Sequence, residues 1–281
     1  MARTLDEILN SHRTGQWAVM GVLNVTPDSF SDGGEFFDSG TAVARAERML
    51  RDGADIIDIG AESTRPGSDP VQPDEQIARL RDVLTAVTDT GATVSVDTTS
   101  AKVARFAMDA GAKLVNDVSA SRHDPEMPAL LAERSAAVVL MHMLGEPKTM
   151  QRRPAYDDVV AEVRDFLRER LEAVVAAGVD RERVILDPGI GFGKLLEHNL
   201  SLLAGVDKLT ELDRPVLVGP SRKRFIGELT GESDPHRRMP GTLAAVLEAR
   251  RRGATLFRVH DVAETVQALT IADAITASGG G

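Results

Sequence analysis

Polar side chains recur at one kind of place in this sequence, the ends of short apolar runs. Asn24, Asp58, Asp97, Asn116, Asp187, Arg258 and His260 all stand there. Three of them, Asp97, Asn116 and Asp187, share a definite chemistry. A carboxylate accepts two parallel hydrogen bonds from an amidine-like edge, and an amide both donates and accepts, so the set suits a flat heterocycle with a guanidine-like edge. A second set is cationic: Lys223, Arg224, Arg258 and His260 follow the last two apolar runs. The chain has 33 basic and 43 acidic residues and a net charge of -10, which repels nucleic acid and anionic lipid. A local basic patch in such a chain points to a small anionic ligand. Any one Asp or Asn at a strand end is as readily a helix N-cap, and Ser221-Arg222-Lys223 alone is as readily solvated surface. Many strands ending this way, acids and amides on one half and cations on the other, are hard to explain as caps.

Other chemistries find little support. There is no cysteine, which removes disulfides, thiolate metal sites and a cysteine nucleophile and fits a reducing compartment, the cytoplasm by default. The six histidines, at 12, 123, 142, 198, 236 and 260, include no i, i+4 pair of the helical zinc type. No GxSxG elbow is present. Gly189-Ile190-Gly191-Phe192-Gly193-Lys194 lacks the spacing of a nucleotide-binding loop. Met1 to Gln16 is charged throughout and no stretch has the length of a membrane span.

The elements that must carry these residues repeat. A helical stretch, a glycine, one or two residues and an apolar run recur at Gly53 before IIDIG, Gly91 before TVSVD, Gly111 before KLVND, Gly178 before RVILD and Gly253 before TLFRVH. This pattern predicts a helix ended by a left-handed glycine, then a buried parallel strand. WAVMGVLNV (17 to 25), AAVVLMH (136 to 142) and RPVLVG (214 to 219) bring the strands to eight. Helical periodicity falls at 42–50, 74–87, 102–110, 159–177, 242–251 and 263–277. Eight strands alternating with helices close most naturally into a (β/α)8 TIM barrel, with a doubly wound open sheet as the alternative. No linker divides the chain, so one domain is expected, with a short N-terminal extension to about residue 16 and a frayed tail from Ser278. In a barrel the residues closing the strands share one face, where catalysis sits, and phosphate is commonly held after strands seven and eight. Two connections, 26 to 40 and 61 to 72, are long enough to be functional.

The runs that close the strands resemble those of dihydropteroate synthases over nearly the whole chain. They are MGVLNVTPDSFSDGG (20 to 34), IDIGAESTRPG (57 to 67), VSVDT (94 to 98), LVNDVS (114 to 119), MHM with PKTMQ (141 to 151), LDPGIGFGK (186 to 194), SRKRFIG (221 to 227), GTLAA (241 to 245) and RVHDV (258 to 262). The resemblance implies that Asp97, Asn116 and Asp187 hold a pterin, that Met141 and Phe192 flank its ring, and that Gly219 and Lys223 complete the pocket. It implies pyrophosphate at Arg258, His260, Thr64 and Asn24, and magnesium at Asn24 with phosphate oxygens supplying other ligands. Phe30, Thr64, Arg65, Pro66 and Arg224 match the pocket for p-aminobenzoate. The reaction so implied displaces pyrophosphate from the pterin methylene by the aromatic amine, making dihydropteroate for folate synthesis, and sulfonamides would compete with the amine. In this scheme Lys223, Arg258, His260 and magnesium stabilise the leaving group and Asp32 stabilises a cationic pterin.

Arg224 stands where many relatives have Ser, and Pro220 and Met239-Pro240 also depart from the usual pattern. Two rival readings keep the barrel: the methyltetrahydrofolate-binding barrel of a cobalamin-dependent methyltransferase, and a non-catalytic pterin-binding paralogue. The first has no use for a pyrophosphate clamp, and the second should have eroded loop motifs. The resemblance also implies a homodimer through the late helices.

Overall fold

A computed structural model describes residues 3–26, 39–63, 68–145, 149–151 and 154–278. Eight parallel strands are found among them: β1 Ala18–Asn24, β2 Ile56–Gly60, β3 Thr93–Asp97, β4 Leu114–Asp117, β5 Ala137–Met141, β6 Val184–Asp187, β7 Leu217–Val218 and β8 Leu256–Val259. They pair in the order β6-β5-β4-β3-β2-β1-β8-β7. A parallel bridge between Leu186 and Val216 joins the two outer strands, so the sheet closes on itself. That closure decides for the barrel over the open sheet.

Strands of Val, Ile and Leu buried on both faces need cover outside and filling inside. The cover comes from α3 Ser39–Arg51, α4 Pro73–Asp89, α5 Ala101–Asp109, α6 Met127–Arg134, α7 Val159–Ala176, α8 Leu196–Ala204, α11 Met239–Arg251 and α12 Val262–Ser278. In α7 the buried Val163, Leu167, Leu171 and Val174 form one stripe, each contributing about 1.5–3 kcal/mol through burial. The glycines expected to end helices do so with positive φ, 99° at Gly53, 81° at Gly91, 102° at Gly111, 101° at Gly178 and 98° at Gly253. A side chain there would strain the chain at each turn from helix into strand.

Two short helices, α1 Leu5–Leu9 and α2 Ser11–Thr14, precede the barrel. Thr4 caps α1, and its backbone N–H donates to Glu7 at 2.7 Å. Leu5, Ile8 and Leu9 pack with Ala18, Met20, Ile56, Leu114 and Ala137, which begin or lie low in their strands. The N-terminal segment thus plugs the floor, and the opposite end stays open. Two further short helices, α9 Val206–Thr210 and α10 Arg224–Thr230, flank β7. Among the described residues no helix is long and apolar enough to cross a membrane.

Candidate active site

Strand register places the candidate residues. Asn24, Gly60, Asp97 and Asn116 are successive partners across β1 to β4, and Met141 partners Asp187 across β5 and β6. Side chains alternate along a strand, so each of these faces the same interior as the floor residues two or four positions earlier. Gly60 leaves room for its neighbour, because a Cβ there would lie 3.2 Å from Asp97 Cβ.

Around this rim lies a cavity of about 1030 Å³, lined by Asn24, Asp97, Phe192, Gly219, Lys223, Arg224, Arg258 and His260 among others. Beneath it a void of about 20 Å³ touches Asn116, Met141, Asp187, Phe192, Gly219, Lys223 and Arg258. The Lys223 ammonium sits 4.0 Å from the centroid of the Phe192 ring, a cation–π contact at the boundary of the two.

Ion pairs cross the interior. Arg258 Nε donates to Asp58 Oδ2 at 2.7 Å and its Nη2 to Asp97 Oδ2 at 2.8 Å, while Asn116 Nδ2 donates to Asp58 Oδ2 at 3.0 Å. Burial raises the Asp97 carboxyl to about 7 against the pull of Arg258. Burial likewise pushes Asp187 up to about 6, opposed by the Gly189 N–H at 2.6 Å and by Lys223. Both acids therefore titrate near neutrality, where ligand-contacting groups often do. His260 is driven the other way, to about 3, by burial and by Arg222, Arg258, Arg45 and Lys223. Its ring is neutral at pH 7, with Nδ1 2.9 Å from Ser221 Oγ.

The glycine-rich run forms the wall beside Asp187. Gly189 has φ 68° and a Cβ on it would stand 1.9 Å from the His142 carbonyl oxygen; Gly191 has φ 84° and a Cβ would stand 3.0 Å from Lys223 Cδ. Backbone contact excludes any side chain at Gly189, and the positive φ favours glycine at Gly191. Lys194, which closes the run, is 3% exposed and donates to the Phe192 carbonyl at 2.9 Å and the His142 carbonyl at 3.3 Å. Its Nζ also lies 3.0 Å from His142 Nδ1. Burial lowers Lys194 to about 7 and His142 to about 3, so the imidazole is free to accept. This buried amine ties the segment after β6 to the end of β5 and holds Phe192 in the wall.

The structure thus brings together Asn24, Asp97, Asn116, Met141, Asp187, Phe192, Gly219, Lys223, Arg258 and His260. Arg224 lies at the outer edge, 85% exposed, with Nε 2.7 Å from Glu228. Phe30, Asp32, Thr64, Arg65 and Pro66 lie outside the described residues. Sequence reasoning placed Asp58 among the polar residues at strand ends without giving it a partner or ligand, and assigned no role to Lys194, Ser221 or Arg45, which lines the cavity from α3. For Asp58 a signal existed: in IIDIG it alternates into the interior, where a carboxylate is costly unless paired. Arg222, which also lines the cavity, holds Asp261 at 2.5 and 3.1 Å. Among the described residues no group of three or more His, Asp or Glu side chains forms a metal cluster.

The pterin binding enzyme family model matches residues 20–260. A dihydropteroate synthase of Synechocystis sp. is 45% identical over 92% of this chain and 89% of its own. Among solved structures, Xanthomonas albilineans dihydropteroate synthase with 4-aminobenzoic acid has a TM-score of 0.88 and 49% identity, covering 93% of this chain and 94% of that one. The same organism's enzyme in complex with 7,8-dihydropteroate has a TM-score of 0.84 and 47% identity, with 93% and 94% coverage.

Proposed function

Because this chain belongs to the dihydropteroate synthase family of pterin-binding enzymes, we propose how its residues divide the work of that family's reaction. The activity is condensation of 6-hydroxymethyl-7,8-dihydropterin pyrophosphate with p-aminobenzoate to 7,8-dihydropteroate and pyrophosphate, a transferase step of folate synthesis. The observation that carries the reading is that acids and cations meet in one mouth, with Arg258 bonded to Asp97 from the far side of the barrel. A methyltetrahydrofolate-binding methyltransferase has no use for Lys223, Arg258 and His260 in one cavity with the acids.

The amine nitrogen attacks the pterin methylene, the C–O bond to the diphosphate breaks, pyrophosphate leaves with the electron pair, and the former amine gives up a proton. The ring itself can bear positive charge at the methylene, so the protein has to hold the ring, balance the departing anion and exclude water. Asp97, Asn116 and Asp187 accept from the ring's N–H groups, Met141 and Phe192 flank it, Gly219 leaves it room, and Lys223 reaches it from above. Arg258 and His260 take the diphosphate, aided by Thr64. Asn24, a hard oxygen donor on the wall of the same cavity, fits magnesium, which needs few protein ligands when phosphate oxygens supply the rest. The ion, when bound, adds positive charge at the diphosphate. The p-aminobenzoate pocket of Phe30, Thr64, Arg65, Pro66 and Arg224, and the role of Asp32 in stabilising a cationic pterin, rest on the resemblance.

We place the protein in the cytoplasm as one barrel unit that pairs through its late helices. Support for pairing is the apolar face of α12, where Ile271 and Ile275 are 57% and 66% exposed. Sedimentation should show a dimer that Ile275→Arg turns into monomer; a monomeric wild type at micromolar concentration overturns the pairing. The function itself is tested by pyrophosphate release, which should require both the pterin substrate and p-aminobenzoate. Release with the pterin alone at the same rate would contradict a condensation.

A further inference from the structure

We propose that Asp58 is a positioning residue that sets both the ring end and the phosphate end of the site, an inference that rests on the function just given. Asp58 lies in the middle of β2, is fully buried, and is absent from the walls of both the cavity and the void. It therefore acts through what it holds. Its Oδ2 accepts from Asn116 Nδ2 at 3.0 Å and from Arg258 Nε at 2.7 Å.

The first bond settles an ambiguity in the Asn116 side chain. A primary amide can turn either end toward a ligand, and here the nitrogen donates to Asp58 Oδ2, the same oxygen that accepts from the Arg258 guanidinium. The amide oxygen is then left for the void that Asn116 lines, as an acceptor for a ring N–H. The second bond fixes the Arg258 fork. Asp58 holds Nε from β2 and Asp97 holds Nη2 from β3, which determines the plane of the guanidinium. Nη1 has no hydrogen bond among the described residues and remains for an anion in the cavity that Arg258 shares with Asn24 and His260.

A purely structural role explains the arrangement less well. Burying a carboxylate is unfavourable even when paired, and an apolar side chain would fill the same space at lower cost. The neighbouring floor is built that way, from Met20, Ile56 and Leu114. Among the described residues, Asp58 Oδ1 and the Oγ of its register partner Ser95 are buried without a hydrogen-bond partner. A residue placed here for stability alone would not leave two such atoms.

The test is Asp58→Asn, which keeps shape and one acceptor oxygen but turns a donor toward Asn116 or Arg258. Calorimetry should show affinity for a phosphate-free pterin and affinity for inorganic pyrophosphate each weakened about tenfold, with Tm within a few degrees of wild type. In an Asn116→Ala background the pterin loss should not grow on adding Asp58→Asn, whereas the pyrophosphate loss should persist. Both affinities within twofold of wild type, or a fall in Tm with the affinities of the folded fraction unchanged, would overturn the proposal. Should Asp58→Asn fail to fold, Asp58→Ser gives the same two readouts. A wild-type protein that binds neither probe refutes the functional reading instead, so the two failures are separable.

Discussion

Arg258→Met should abolish measurable condensation and also weaken the fold, by an amount that grows with pH. The guanidinium bonds Asp58 and Asp97, whose side chains are 0% and 7% exposed. Methionine fills much of the space but donates nothing, and removing one partner of a buried pair costs about 3–5 kcal/mol because the other charge is stranded. The stranded carboxyl escapes by taking a proton. In the wild type, burial already raises Asp97 to about 7 despite Arg258; without the cation its folded pKa rises further. The folded variant then holds a proton that the unfolded chain releases near pH 4. Its stability is full below that pH and is lost as pH climbs through the raised folded value. Urea denaturation at pH 5 and pH 8 checks this: because wild-type Asp97 itself titrates near 7, the deficit against wild type should be larger at pH 8 than at pH 5 by about 1 kcal/mol. An equal deficit at both would mean that the carboxylates are not the cause. On the proposed roles, the loss in kcat/KM should be on the order of 10³-fold or more, since a donor to developing negative charge would be removed together with the alignment of the acid proposed to accept from the ring.

Asp187→Asn should leave the fold intact and remove most ring affinity. One carboxylate oxygen already accepts from the Gly189 N–H at 2.6 Å, and the asparagine oxygen can keep that bond. The nitrogen must then face the ring, donor against donor. Losing a charge-assisted acceptor for two N–H groups and gaining that clash amounts to about 3–4 kcal/mol, or a 10²- to 10³-fold weaker complex. The pH dependence separates this from a packing defect. In the wild type, affinity for a phosphate-free pterin should fall as pH drops through about 6, where Asp187 gains a proton. The variant should lack that limb and keep only the one belonging to Asp97. Since the buried charge at Asp187 opposes folding above its raised pKa, Tm of the variant at pH 8 should equal or exceed that of wild type. A Tm several degrees lower, with the acid limb retained, would show that Asp187 supports the barrel and not the ligand.

These two residues also show how far local pattern reaches. Asp187 is readable from the chain alone, because it closes a run of buried strand residues and is followed by glycines that the tight turn demands. Asp97, Asn116 and Arg258 are readable in the same way, as is the helix-glycine-strand period that makes a barrel of eight units. Each of these signals depends on a residue's own run: alternation, the end of an apolar stretch, a left-handed turn. The Lys194 ammonium was not readable, since its burial beneath His142 and Phe192 depends on two segments 52 residues apart. Arg222 and Arg224 look alike beside Lys223, yet one folds back on Asp261 and the other faces solvent next to Glu228. Leu5, Ile8 and Leu9 fall within a stretch read simply as an extension, but they become a plug once there is a barrel floor to fill.

Composition and periodicity therefore determine which side chains reach the open end of the barrel and what charges they bring there. Which of them pair is decided by closure. Arg258 meets Asp97 across 161 residues and Asp58 across 200, contacts that follow from β8 pairing beside β1 and from the curvature that turns β2 and β3 toward it, and from no feature of either run. Hydrogen bonds are short-ranged and directional, so the pairing exists only where the ring of strands brings those atoms within 3 Å.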